Sequence, residues 1–459
     1  MSPVYPASLF AERALLREGW ADRVRLDLGA DGRIAAISVD ADPAGAETVA
    51  GPLVPAMPNL HSHAFQYAMA GQAEVAGSST DSFWTWRDTM YRIAGQLSPE
   101  DAGAVAAKLY VEMLKGGYGA VGEFHYLHHA PGGGAYDDPA EMSLRIADAA
   151  RRAGIGLTHL PVFYAHSDFG GAPPHAGQAR FIHSPDAFLA LLDRMHAELG
   201  ATATLGLAFH SLRAATPDEM RAILSSGLAS GPIHIHAAEQ TAEVDACLAW
   251  SGKRPVRFLL DEIGAGEGWC LIHATHMDGS EVRDLAASGA VVGLCPETEA
   301  NLGDGLFAAE DYLGRGGAFG IGSDSQVSTS VAEELRMLEY GQRLQARRRN
   351  VLAGGADRST GRRLFDAALD GGVAALGPAS GGRIAVGAPA SFTVLDGDDA
   401  FIATSQGDLV LDRWLFARGT TVVRDVMVGG RWVIRGGHHA DEEAIDRAFR
   451  SALGRLAAA

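Results

Sequence analysis

An apolar run at residues 53–60 ends in His61-Ser-His63. On a β-strand, residues two apart face the same way, so both imidazoles leave the strand's C-terminal end together. Two neutral imidazoles meeting at one point make half of a divalent metal site. A bare His-x-His is more often a pair of ordinary loop histidines, and it gains meaning only when other strands bring further ligands. Polar groups do recur at the ends of later apolar runs: Gly122-Glu-Phe-His-Tyr-Leu-His-His129, Phe209-His-Ser-Leu-Arg213, His234-Ile-His-Ala-Ala-Glu-Gln240, His273-Ala-Thr-His276 and Gly322-Ser-Asp-Ser325. Of the 17 histidines, 10 fall in these segments together with His61-Ser-His63, which random scatter would not produce. His129, His159, His166, His175, His183 and His196, taken singly, read as structural or surface residues.

A catalytic zinc keeps few protein ligands and one open position. His61 and His63 supply two, His236 a third and Asp324 an anionic oxygen. His234 faces the same way as His236, so spacing leaves the choice between them open. The fourth run ends without a lysine or glutamate, which points to one metal per chain, zinc before iron or manganese. Such an ion lowers the pKa of water to roughly 7. Asp324 can then accept a proton, His273 can orient the water, and Glu239 can carry a proton to a leaving nitrogen. The plainer role for Glu239 is a carboxylate at a helix N-terminus.

The elements that must hold these residues follow from the hydrophobic pattern. Short strands occupy about residues 9–54, and apolar runs then alternate with helical stretches to about residue 350. Eight runs stand out, at 53–60, 120–124, 156–163, 204–209, 232–235, 269–272, 290–294 and 319–321. Ser98, Ser184 and Thr216 each precede a proline and read as helix N-caps. Eight such units over this length predict an α/β fold, a (β/α)8 TIM-type barrel, with chemistry at the C-terminal strand ends. The chain returns to β pattern from residue 381, with a hairpin turning at Gly429-Gly430. The expected organisation is 1–54 and 381–459 as two parts of a small flanking β-sandwich, the second with a docked terminal helix, around a barrel at 55–380.

With 459 residues and a mean hydropathy of +0.02, the chain can bury a large core. Its net charge of −18 disfavours nucleic acid and anionic membranes. The basic run Arg347-Arg-Arg349 reads as a solvated helix terminus. The three cysteines, Cys247, Cys270 and Cys295, cannot build a disulfide framework. No apolar run reaches the ~20 residues that span a bilayer, and no leader pattern is seen at the N-terminus. The expectation is a cytoplasmic protein.

These motifs resemble the amidohydrolase superfamily, in its cytosine- and guanine-deaminase-like branch: His-x-His on the first strand, His-x-x-Glu on the fifth, His on the sixth and Asp on the eighth. Within it, Phe83-Trp-Thr-Trp-Arg87, the Glu-Phe-His-Tyr segment ending at Tyr126, Asn301-Leu-Gly-Asp-Gly305 and Glu333-Glu-Leu-Arg-Met-Leu-Glu-Tyr-Gly-Gln342 are most similar to the formimidoylglutamate deiminase family. Gln326 and Glu297 depart from the residues expected there, His or Asn and Thr. The resemblance implies a metal-dependent homodimer that hydrolyses N-formimino-L-glutamate, a linear amidine, to N-formyl-L-glutamate and ammonia in histidine degradation. Such a substrate carries two carboxylates, which call for multiple donors. Gln66, Arg87, Tyr126, His210 and Arg213 are the candidates, with Arg87 on a loop that covers the site. The competing expectations are a deaminase of a heterocyclic amine such as guanine or a triazine, and a barrel that has lost its metal and serves as a scaffold.

Overall fold

The computed structural model describes residues 6–74, 83–199, 203–354 and 358–458. Its centre is a parallel sheet whose strands we label β1 (Met57–Ser62), β2 (Tyr118–His125), β3 (Gly156–Phe163), β4 (Leu207–Phe209), β5 (Ile233–Ala237), β6 (Trp269–His273), β7 (Val291–Leu294) and β8 (Ala318–Ile321). Each pairs with the next in chain order. Every residue of β1 and β2 is buried, as expected of parallel strands that carry helices outside and a filled interior. The seam between β8 and β1 closes just beyond the strand ends: the Asp324 N–H donates to the His61 carbonyl at 3.0 Å, and the His63 N–H to the Asp324 carbonyl at 3.3 Å. The eight-stranded barrel is therefore nearly closed, and its closing bridge lies where the polar residues gather.

The floor is plugged by Leu60, Cys270, Ile272, Ala375 and Leu376. The last two come from the helix Thr360–Leu376, which lies flush against β8. That contact depends on glycine, because a Cβ at Gly371 would sit 1.9 Å from the Phe319 carbonyl oxygen. Around the barrel, helix starts follow their caps. Ser98 and Thr216 each accept from the third residue of their helix and receive a carboxylate in return, from Asp101 and Glu219. Ser184 accepts from the Ala187 N–H at 3.3 Å.

A second, mainly antiparallel sheet joins the two termini. Leu53–Pro55 pairs with Phe392–Leu395, and Val423–Val428 turns through Gly429-Gly430 onto Arg431–Arg435. This sheet packs around its own apolar core, including Leu9, Val24, Leu26, Phe392 and Met427. The C-terminal helix Glu442–Ala458 docks on Pro99–Lys115: Ala452 and Leu456 are buried, Phe449 stacks on Tyr67, and Lys108 pairs with Asp446 at 2.8 Å. Arg347, at φ 53°, ends the helix Val331–Ala346 and is exposed with Arg348 and Arg349.

One element differs from expectation. Arg87 sits on a helix, Phe83–Ala94, rather than on a loop. Trp86, Met90, Ile93 and Ala94 recur at helical spacing and pack against a cluster that includes Phe65, Tyr126 and Phe181. The Trp84 side chain lies outside the described residues. No helix among the described residues is long and apolar enough to cross a membrane.

Candidate active site

His61 and His63 leave the end of β1 with their Nε2 atoms 3.1 Å apart, and His236 from β5 brings its Nε2 to 3.1 Å from that of His61. Asp324, just past β8, places Oδ1 at 3.5 Å and 3.3 Å from the Nε2 atoms of His61 and His63. Two of the rings are oriented from behind. His63 Nδ1 donates to the Phe124 carbonyl at 2.9 Å, and His236 Nδ1 to the His210 carbonyl at 2.8 Å. A carbonyl can only accept, so the Nδ1 atoms carry the protons and the Nε2 atoms present bare lone pairs. Burial, aided by the neighbouring His63, pushes His61 down to about 3, which keeps it in the neutral form that ligates metals. Both close Nε2 pairs include His61, and a cation set among the three rings would use one lone pair from each. The three histidines are grouped closely enough to hold a metal ion, Asp324 also groups with His273 and Cys295, and with Asp324 Oδ1 beside His61 and His63 the donor types fit one divalent metal.

His234 shares the orientation of His236 along β5, yet it lies deeper. Its Nε2 reaches the Ala375 carbonyl at 2.9 Å in the barrel floor. Depth, which sequence spacing does not encode, separates the two.

His273 ends β6. Its Nδ1 lies 3.2 Å from Glu299, while its Nε2 faces Glu239 at 3.8 Å and Asp324 at 3.7 Å. Burial opposes charge on this ring, but Glu239, Glu299 and Asp324 outweigh it and push the imidazole up to about 10. Burial raises Glu239 to about 7 despite the nearby His273, because Asp324 and Glu243 add like charge. The backbone is held tightly here. Ala238, His273 and Asp324 all have φ between 44° and 69°, a sparsely populated region for non-glycine residues. Glu243 fixes one of these turns by accepting from the N–H groups of Ala238 at 3.3 Å and Glu239 at 3.1 Å.

Above this cluster lies a cleft lined by His63, His236, Glu239, His273 and Asp324 on one side, and by Gln66, Arg87, Tyr126, His210 and Arg213 on the other. Gln66 Nε2 donates to the Tyr126 hydroxyl at 2.8 Å. The Arg87 guanidinium lies 5.5 Å from the Tyr91 ring centroid. The eleven residues singled out from the sequence thus converge on one place, with His61 immediately beneath the lining.

Sequence reasoning missed Glu299, Glu243, Tyr164 and Leu302. Glu243 had a signal, since it is the third residue of a helix capped by Gln240, where a carboxylate reaches back to free N–H groups. Glu299 and Tyr164 had none beyond proximity to recognised segments. Gln326, which departs from the expected residue, proves central to a polar network. It donates to Ser62 Oγ at 3.0 Å and accepts from Ser323 Oγ at 2.7 Å. Ser62 donates in turn to Glu123 at 2.7 Å, and Asn59 donates to Ser323 at 2.7 Å. Glu297 takes no part in that network. Its backbone N–H donates to Glu334 at 3.0 Å.

Comparison with known proteins agrees with this architecture. Residues 53–433 match the Amidohydrolase family, and residues 7–50 match the family described as Formimidoylglutamate deiminase HutF, N-terminal domain. The chain is 57% identical to formimidoylglutamate deiminase of Pseudomonas aeruginosa, over 98% of this chain and 99% of that one. It is 27% identical to 8-oxoguanine deaminase of the same organism, over 83% of this chain and 81% of that one. Among solved structures, an amidohydrolase from Brucella melitensis superposes with a TM-score of 0.93 at 50% identity, covering 98% of this chain and 99% of that one. A zinc-bound adenosine deaminase from Xanthomonas campestris shares the fold, with a TM-score of 0.82 at 20% identity and full coverage of both chains. On the strength of the match across its barrel and of the near-full-length similarity, the chain belongs to the amidohydrolase family.

Proposed function

We propose that this protein hydrolyses N-formimino-L-glutamate to N-formyl-L-glutamate and ammonia. The observation that carries the reading is a single cleft that sets a metal-type donor cluster and a buried proton-carrying glutamate opposite two arginines. A linear amidine flanked by two carboxylates needs both halves, whereas a flat neutral heterocycle needs no pair of guanidinium groups. The similarity to formimidoylglutamate deiminase of Pseudomonas aeruginosa supports the same reaction.

His61, His63, His236 and Asp324 would hold one divalent ion, zinc by preference for this donor set. When bound, the ion supplies a water of lowered pKa beside the substrate. Asp324 would accept the first proton as a water oxygen adds to the formimino carbon, and would pass it on to the departing nitrogen. Glu239, buried and raised toward neutrality, delivers the other proton to that nitrogen and recovers one from the added oxygen as the carbonyl forms, so the carbon–nitrogen bond breaks with loss of ammonia. His273 holds a proton opposite Glu239 and steadies the charge that develops between them. Arg213 and Arg87, with Gln66, Tyr126 and His210, grip the carboxylates and orient the amidine. A homodimer in the cytoplasm completes the proposal.

The test is release of ammonia from N-formimino-L-glutamate compared with guanine, together with elemental analysis for one metal per chain. Turnover of guanine alone would sink the substrate assignment. Arg213→Met should raise KM for N-formimino-L-glutamate by about 10- to 100-fold, the loss of a charge-assisted pair. An unchanged kcat/KM would remove Arg213 from carboxylate binding.

A further inference from the structure

Tyr164 lies one residue past β3 and lines the cleft, its ring centroid 4.5 Å from that of His210. Its hydroxyl accepts a hydrogen bond from Gln178 Nε2 at 2.7 Å. The orientation of that amide is fixed from its other end, where the His175 N–H donates to Gln178 Oε1 at 2.7 Å. Flipping the amide would set two N–H donors against each other at His175, so the NH2 must face the phenol. Gln178 is 2% exposed, and it has no freedom to turn. The phenol therefore spends an acceptor position on Gln178 and must send its own proton elsewhere. Among the described residues no acceptor takes that proton, and Tyr164 is one of the residues that line the cleft. Arg213 and Arg87 line the same cleft as this phenol, and their charges would draw an anion there.

We infer that Tyr164, held as an acceptor by Gln178, is a hydroxyl donor to one carboxylate of the substrate and contributes to the selection of dicarboxylate amidines over monocarboxylate ones. Gln178 acts through Tyr164 and is a positioning residue. The inference rests on the reaction proposed above. A buried donor aimed at a carboxylate discriminates strongly, because a substrate lacking that group leaves the donor unpaired in a dry site.

The experiment measures kcat and KM on three amidines: N-formimino-L-glutamate, N-formimino-4-aminobutyrate, which lacks the α-carboxylate, and N-formimino-L-2-aminobutyrate, which lacks the side-chain carboxylate. Tyr164→Phe keeps the volume and removes only the hydroxyl. It should lower kcat/KM on N-formimino-L-glutamate by about 10- to 100-fold, mostly through KM. On whichever analogue lacks the partner carboxylate it should change little. Gln178→Glu offers the phenol only acceptors and should turn its proton away from the cleft, reproducing most of that loss. Added to Tyr164→Phe, it should cost little more. No loss with Tyr164→Phe, an equal loss on all three substrates, or additive losses in the double variant would each overturn the inference. A wild-type enzyme inactive on N-formimino-L-glutamate overturns the proposed reaction and this inference together. Wild-type activity with an unaffected Tyr164→Phe variant overturns the inference alone.

Discussion

Glu239 is 7% exposed, faces His273 at 3.8 Å and feels the charge of Asp324. A carboxylate in that position can move a proton without holding the metal. Glu239→Gln should therefore cut kcat by about 10²- to 10⁴-fold, the usual scale for a lost general acid–base group. Metal content should stay at the wild-type level. Loss of the metal along with activity would reassign Glu239 as a ligand, and near-normal turnover would end its role altogether. Two neighbours set how well it works. Glu243 pins its backbone N–H, and Glu299 faces the far nitrogen of His273, which fixes the nitrogen turned toward the cleft.

At the scale of elements, the loops that follow β1 and β8 behave as one unit. The barrel seam closes through Asp324, His61 and His63, so three candidate ligands sit on the same bridge. Gln326 stands behind that bridge and links Ser62 on β1 to Ser323 beside β8, while Glu123 on β2 anchors Ser62 and accepts from the Ala64 N–H at 2.7 Å. Supporting shells of this kind typically tune metal affinity by 10–100-fold. Gln326→Ala should weaken zinc binding by about that factor in a chelator competition, with secondary structure retained. Affinity equal to wild type would show that the ligands are held without it. The helix Phe83–Ala94 brings Arg87 to the cleft from the other side.

The whole molecule carries a second group of histidines, outside the cleft. His125, His128, His129, His159 and His183 neighbour one another through ring contacts of 4.5–6.4 Å. Neither ring nitrogen of His183 finds a hydrogen-bond partner among the described residues, and burial, with His129 nearby, pushes it down to about 3. The unfolded chain takes up this proton below about 6.5 while the folded chain resists until about 3. Stability through this residue is thus complete above about pH 6.5 and falls as pH drops toward 3. Carboxylates that burial raises work in the opposite direction, Glu123 among them at about 7, so the net curve does not isolate one histidine. A difference measurement does. His183→Leu should flatten the dependence of unfolding free energy on pH between 3 and 6.5 by up to about 1.4 kcal/mol per pH unit. An identical slope in the variant would show that His183 is already solvated or protonated in the native state.

The strands were legible in the sequence because parallel strands are buried on both faces and read as unbroken apolar runs, and the convergence of the candidate ligands was legible because they fall at the ends of those runs. The hairpin at Gly429-Gly430 and the caps at Ser98 and Thr216 were legible for the same local reasons. Tertiary structure alone separated His236 from His234, turned the Arg87 segment into a helix, and brought Glu299, Gln178 and Tyr164 to the residues they serve. Sequence periodicity fixes which way a side chain faces within its own element. How deep that element sits, and what another loop brings against it, depends on packing between segments far apart in the chain.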